Sequence, residues 1–379
     1  MPSHNLALAF ALTTALVAPA AVAPALADAR KEAAFQIIDR NAKQIAEIGD
    51  AIFFFAEPGM QEFESSKLVK ETLEAAGFQV ELGGAGMPTN VWATWGSGGP
   101  KILIATEMDA LPEGSQTPMS IPRKPLVEGA PGHMEGHNTH AGVALGALFA
   151  LKKVMEEQKL PGTLALSLGP TEEQLASRPF LVRAGYLKDV DAAIVLHIGD
   201  NFTIGWGLQN YAPISATFTF HGKTAHGAVN PWDGKDAVDA VELMDLGFDK
   251  LREHLRPTYR AHRTILHGGI QPNIIPDLGK IWWFVRDANA AAAKQNFDKL
   301  VKIGEGAALM TGTSMDPPDV VASAWPQLGN RPLSEAIRKN MEAVNLPKWS
   351  DEETSFAKEF QKANGAKEVG LATNLPPAG

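Results

Sequence analysis

The sequence predicts an α/β fold, a mostly parallel sheet covered on both faces, with a ferredoxin-like α+β unit inserted into it. Three observations carry that prediction. Short apolar runs at 101–105 ("KILIA"), 163–168 ("TLALSL") and 192–196 ("AAIVL") are separated by helical patterns, as buried parallel strands are. Each run is followed at once by polar residues, in "TEMDALPEG", "GPTEEQ" and "HIGD". From about Ala212 the pattern changes to alternating strands and amphipathic helices in the order β-α-β-β-α-β.

The N-terminal segment comes first. Residues 6–27 are apolar and end in "APALA", where Ala25-Leu26-Ala27 fits the small-x-small cleavage rule. Residues 1–27 are therefore expected to be an export signal, although they carry no Lys or Arg. Pro19 and Pro24 interrupt the run, which argues against a spanning anchor. The expected location is periplasmic or secreted, with no membrane contact after cleavage.

Residues 33–55 and 64–76 have helical apolar spacing, the second ended by Gly77. "FQVEL" (78–82) and "NVWATW" (90–95) read as short strands. A helix is expected from about Thr139 to Glu157, with Asn138 as its N-cap. In the second unit, "ISATFTFHG", "RTILHGGI", "KIWWFVRD" and "DVVASAW" are strands, and 236–255 and 290–309 are helices. Helices return at 331–345 and 351–364, the latter opening on a Ser350/Glu353 capping box. The expected organisation is a signal (1–27), a first unit (28–211), an insertion (212–326) and a return to the first unit (327–379).

Composition narrows function. The chain has 379 residues, 45% of them hydrophobic, which is ample for two domains. A formal net charge of -9 argues against nucleic acid as a partner. With no cysteine, any metal must be held by His, Asp and Glu. Of the ten histidines, three lie in "GHMEGHNTHAG" with Glu135 among them.

Open α/β sheets bind ligands at the carboxyl edge of their strands. Glu135, His137, Glu173 and His197 come from three segments expected at that edge. Carboxylate and imidazole together suit zinc or another borderline divalent ion. His140, three residues after His137, could back the site up. Taken alone, "TEE" (171–173) also reads as a helix start, with Thr171 capping and Gln174 completing the box.

Six segments carry a resemblance: "ATEMDALPEGSQ", "APGHMEGHNTHAG", "GPTEE", "LH", "GKTAHGAVNPWDGKDAVDA" and "QPNIIPD". In this order they resemble the dinuclear-zinc exopeptidase and amidohydrolase family of aminoacylases, glutamate carboxypeptidases and amino-acid-conjugate hydrolases. "AGMPTNVWATWGSGGPKI", "NRPLSEAIRKNMEAV" and "KWSDEETSFAKEF" are most similar to its p-aminobenzoyl-glutamate hydrolase branch. The resemblance implies a three-layer hydrolase-like domain and an inserted lid that mediates homodimerisation. It implies two divalent ions, zinc first, with manganese or cobalt as alternatives. His137, Glu173 and His197 match metal ligands, and Glu172 matches the general base. Asp109 matches an acid that orients a ligand. His226 matches a lid histidine that reaches a partner's site, and Asn273 and Arg286 are lid positions that could hold a substrate carboxylate. The implied reaction is hydrolysis of a small-molecule amide between an acyl or aryl group and an amino acid.

Two departures stand out. The branch usually has Cys where this chain has Glu135. The family also carries a late ligand histidine, whereas no histidine follows His267 here. The chain therefore reads as C-terminally truncated, and a non-catalytic relative that binds a metal or a small conjugate is the alternative.

Overall fold

The computed structural model describes residues 23–208, 210–344 and 346–376. The expected signal falls largely outside these residues. The first part of the chain holds α1 (Ala23–Arg40), α2 (Ala42–Phe55), α3 (Phe63–Ala75), β1 (Gln79–Leu82), β2 (Val91–Ser97), β3 (Lys101–Glu107), α4 (His137–Gln158), β4 (Gly162–Gly169), α5 (Ser177–Ala184) and β5 (Ala192–Val195). Then follow β6 (Gly207–Leu208), β7 (Ala212–His221), α6 (Ala237–Leu251), β8 (Arg260–His267), β9 (Leu278–Asp287), α7 (Ala290–Thr311), β10 (Ser314–Met315), β11 (Asp319–Ser323) and β12 (Leu328–Gly329). The chain closes on α8 (Arg331–Val344) and α9 (Asp351–Ala363).

The first sheet has the order β1-β2-β4-β3-β5. β3 is parallel to both β4 and β5, and β2 alone runs against the others. Its strands are apolar on both faces for a physical reason. Leu164, Leu166, Leu168 and Ile104 pack against one helical layer with Ile52, Leu73, Leu145 and Leu148. Leu103, Ala105 and Ala165 face the other way, under Trp92, Tyr186 and Leu187. All three parallel strands end at the same edge, just before Asp109, Glu172 and His197.

The second sheet has the order β10-β7-β9-β8, with β11 also pairing with β7. This is the expected β-α-β-β-α-β layer. Its inner face, with Phe218, Phe220, Ile281, Trp283 and Val285, is buried against α6 and α7. β6 pairs with β12, so the chain enters and leaves this lid side by side, as an insertion must.

Local expectations needed correction in three places. Residues 33–55 are not one helix: α1 and α2 meet at Asn41, whose side-chain amide donates to the Ile37 carbonyl at 2.7 Å. Asn138 is not an N-cap: α4 starts two residues earlier than expected, at His137 after Gly136, whose φ of +82° suits glycine. The Asn138 amide instead donates to Gly49 O at 3.1 Å and ties α4 to α2. Thr171 caps nothing: it sits at φ +55° and its hydroxyl is buried without a partner among the described residues. The Ser350/Glu353 capping box forms as expected.

Candidate metal centre

α4 and the three strand ends converge on His137. Its Nδ1–H donates to the Asp109 carbonyl at 3.0 Å. His197 Nδ1–H donates to the Ile198 carbonyl at 2.7 Å. A carbonyl only accepts, so each neutral ring must carry its proton on Nδ1 and leave Nε2 bare. Those two Nε2 atoms face each other at 3.2 Å. Two lone pairs in that geometry repel unless a proton or a cation lies between them.

The surroundings select a cation. Glu135, His137 and His197 present ligand atoms within 4.8 Å of one another, and so do His137, Glu172 and Glu173. Asp109 Oδ1 and Glu173 Oε1 are buried without a hydrogen-bond partner among the described residues. This set of carboxylates and imidazoles fits a divalent ion of the zinc type. The clustered acids also set the protonation of the metal-free centre. Burial and the neighbouring Glu135 push the Glu173 carboxyl up to about 7. Burial and Glu107 also raise Glu172, against the pull of Arg178. Burial opposes the charge on His137, but Asp109, Glu107 and Glu173 outweigh it and hold its pKa at about 9, so without a metal its Nε2 carries the proton that lies between the two rings and that a bound ion would displace.

A supporting layer lies behind these groups. Asp109 Oδ2 accepts the Glu173 amide at 3.1 Å, and Oδ1 lies 3.4 Å from His137 Nδ1. His140 Nε2 accepts the Ile198 amide at 2.9 Å, so it steadies the strand end that bears His197. His140 Nδ1 faces the buried Glu107 at 3.4 Å. Arg178 pairs with Glu107 and lies 3.8 Å from Glu172 Oε1. Sequence reasoning missed Glu107 and Arg178. Glu107 carried a signal, an acid two residues before Asp109 on a predicted strand end. Arg178 carried none, since an arginine on a short helix is ordinary. His133 belongs to the fold: its buried ring hydrogen-bonds the Ile52 carbonyl at 3.1 Å.

The lid residues divide. His226 and Asn273 lie in adjacent segments, joined by a bond from the Gly227 amide to Asn273 O at 2.8 Å. Both are exposed, and their described contacts stay within the lid: His226 Nδ1 accepts from Ala228 N, and Asn273 Oδ1 from Gln271. Arg286 instead reaches the centre electrostatically. Burial lowers its pKa, and the charge of Glu172 opposes that fall. A cleft of about 320 Å³ separates the lid from the metal-binding edge. Trp282, Phe284 and His262 line one wall, Pro58, Leu111 and Pro112 another, with Asp109 and Glu173 beside them.

Comparison with known proteins agrees with this architecture. Residues 103–369 match the model of peptidase family M20/M25/M40. The chain belongs to that family. It is a metal-dependent amide hydrolase. It is 33% identical over 326 residues to one of the subunits of the Escherichia coli p-aminobenzoyl-glutamate hydrolase, covering 86% of this chain and 67% of the relative. It is 27% identical to the Xaa-Arg dipeptidase of Mus musculus, covering 83% and 72% of the two chains. The fold matches the crystal structure of an aminobenzoyl-glutamate utilization protein from Klebsiella pneumoniae, with a TM-score of 0.65, 19% identity, and coverage of 89% of this chain and 91% of that one. It also matches a dinuclear metal-binding peptidase of the M20 family from Bacillus subtilis, with a TM-score of 0.53, 20% identity and 80% coverage of each chain.

Proposed function

We propose that this hydrolase cleaves the amide between an acyl or aryl group and an amino acid, with two divalent ions held by Glu135, His137, Glu173 and His197. The observation that carries the reading is the pair of Nε2 atoms on His137 and His197, facing each other amid Glu135, Glu172 and Glu173. Zinc is the expected ion. When bound, it supplies Lewis acidity to the scissile carbonyl and acidifies a water.

The chain's own groups do the rest. Glu172 takes a proton from the attacking water and returns it to the leaving nitrogen. Its carboxyl is raised by burial, which moves it toward the working range of a general base. Arg178 keeps that carboxylate oriented. Asp109 holds His137 by its carbonyl and the Glu173 amide by its carboxylate, so one residue sets two ligands. The cleft walled by Trp282 and Phe284 suits an aryl or acyl group. Arg286 and Asn273 are positioned on the lid for the substrate carboxylate, Arg286 by a bidentate pair.

His226 is exposed and its described contacts stay within the lid, which supports a homodimer in which it serves the neighbour's site and donates to the oxyanion. The leader-like residues 1–27 support export.

The test combines metal content with one substitution. Protein reloaded with zinc should hold near two ions per chain by elemental analysis. Glu172→Ala should keep that metal and lose about 10²–10⁴-fold in turnover of p-aminobenzoyl-glutamate or an N-acyl amino acid. Absence of bound metal would overturn the dinuclear reading, and full turnover in the variant would remove Glu172 as the base.

A further inference from the structure

Glu62 has no exposed surface, yet it lies at the start of a surface helix. An acid there ordinarily caps its own helix. Here Glu57 does that work: its carboxylate accepts the amides of Glu64 and Ser65 at 2.8 and 2.9 Å. Glu62 turns inward instead. Its Oε2 accepts the Thr89 hydroxyl at 2.5 Å, and its Oε1 accepts the Thr171 amide at 2.9 Å.

Thr171 immediately precedes Glu172 and Glu173. A β-branched residue at φ +55° is strained, and such strain persists only where the surroundings enforce it. Gly59 makes room for this conformation, since a Cβ there would collide with the Thr171 side chain. Two residues further on, Asp109 Oδ2 accepts the Glu173 amide. Two acids from different elements thus hold alternate amides of one turn and fix how the intervening Glu172 leaves the chain.

We infer that Glu62 is a positioning residue for Glu172, acting through the Thr171 amide. The inference rests on the reading of Glu172 as the base. A purely structural tie between α3, Thr89 and the 170–176 turn would give a different result in the experiment below. Burial pushes Glu62 up to about 7, so a neutral glutamine is a close stand-in. Its carbonyl can still accept from Thr171, whereas leucine leaves that amide unpartnered.

The experiment uses full-length Glu62→Gln and Glu62→Leu, with Leu73→Ala as a control that destabilises the same helix through its buried core position. In zinc-loaded protein, Glu62→Leu should lose about 100-fold in kcat with KM and metal content little changed, the size of effect a misplacement of about 1 Å produces. Glu62→Gln should stay near the parent rate, and Leu73→Ala should lose stability without that loss of kcat. In metal-free protein, Glu62→Leu should speed amide hydrogen exchange in the 170–176 turn about tenfold or more, and Glu62→Gln should not. Equal kcat losses in the Gln and Leu variants, or a Leu variant that merely tracks Leu73→Ala, would overturn the inference. If the parent hydrolyses no amide, the proposed function fails on its own. The exchange arm then decides whether Glu62 holds the turn, and unchanged exchange would overturn that too.

Discussion

At His137 a backbone carbonyl decides the chemistry. Asp109 O fixes a proton on Nδ1 and so leaves Nε2 as the nitrogen that the proposed metal would take, and Ile198 O does the same for His197. The buried acids follow a similar logic of forced partners. Glu62 has a folded-state pKa of about 7, above its ordinary value of 4.5. Between those values the unfolded chain is ionised while the folded one keeps its proton. The unfolded state then binds fewer protons, so this contribution is complete below about pH 4.5 and is lost as pH rises through 7. Replacing Glu62 by Gln removes the titration. The variant should therefore gain up to about 3 kcal/mol relative to the parent at pH 8 compared with pH 4.5. Denaturant unfolding of the metal-free proteins at the two pH values measures this. A difference that does not change with pH would mean that Glu62 ionises as freely in the fold as in the open chain.

At the scale of elements, β9 shows how one strand serves two purposes. Ile281, Trp283 and Val285 point into the lid core, and Trp282 and Phe284 point into the cleft. Neighbouring tryptophans should then respond differently to truncation. Trp283→Ala should cost about 3–5 kcal/mol of stability, because it empties a fully buried site. Trp282→Ala should leave stability far less affected and raise KM for aryl-acyl substrates more than for acetyl ones. Equal effects on both substrate classes would exclude Trp282 from the acyl pocket. α4 carries a related constraint. It approaches α2 so closely that a Cβ at Gly142 would strike the Ile45 carbonyl. That contact seats the helix whose first residue is His137.

For the molecule as a unit, the proposed homodimer has each chain complete the other's site. His226 lies exposed on the lid, and the proposed homodimer delivers it to the neighbour. Inactive Glu172→Ala and His226→Ala variants, unfolded and refolded together in equal amounts, should then regain activity. Half the dimers would be hybrids, each with one intact site of two, giving about a quarter of the parent rate. No recovery despite hybrid dimers would place His226 in its own chain's site or in none.

Much of this was legible in the chain because the signals are local. The apolar runs of β3, β4 and β5 could only be buried strands, and the polar residues after them had to gather at one edge. Period and order alone announced the inserted α+β layer, and the resemblance implied that it is a lid. The failures share a cause. Asn138 and Thr171 have the composition of helix caps, and distant groups overrode both: the Asn138 side chain is claimed by the Gly49 carbonyl, and Glu62 holds the Thr171 backbone amide in a turn at φ +55°, where its hydroxyl caps nothing. Arg178 and Glu62 were overlooked because nothing in their neighbourhood in sequence marks an acid or base that the fold will bury, whereas Glu107 was legible from its place on a strand end beside Asp109. Hydrophobic period and side-chain chemistry, both written in the chain, were enough to set the elements, the edge where ligands gather and the residue types able to hold a metal. Which imidazole nitrogen is bare, which acids lose water and which way Glu172 points were settled by folding alone, because they depend on carbonyls and carboxylates brought in from remote parts of the chain.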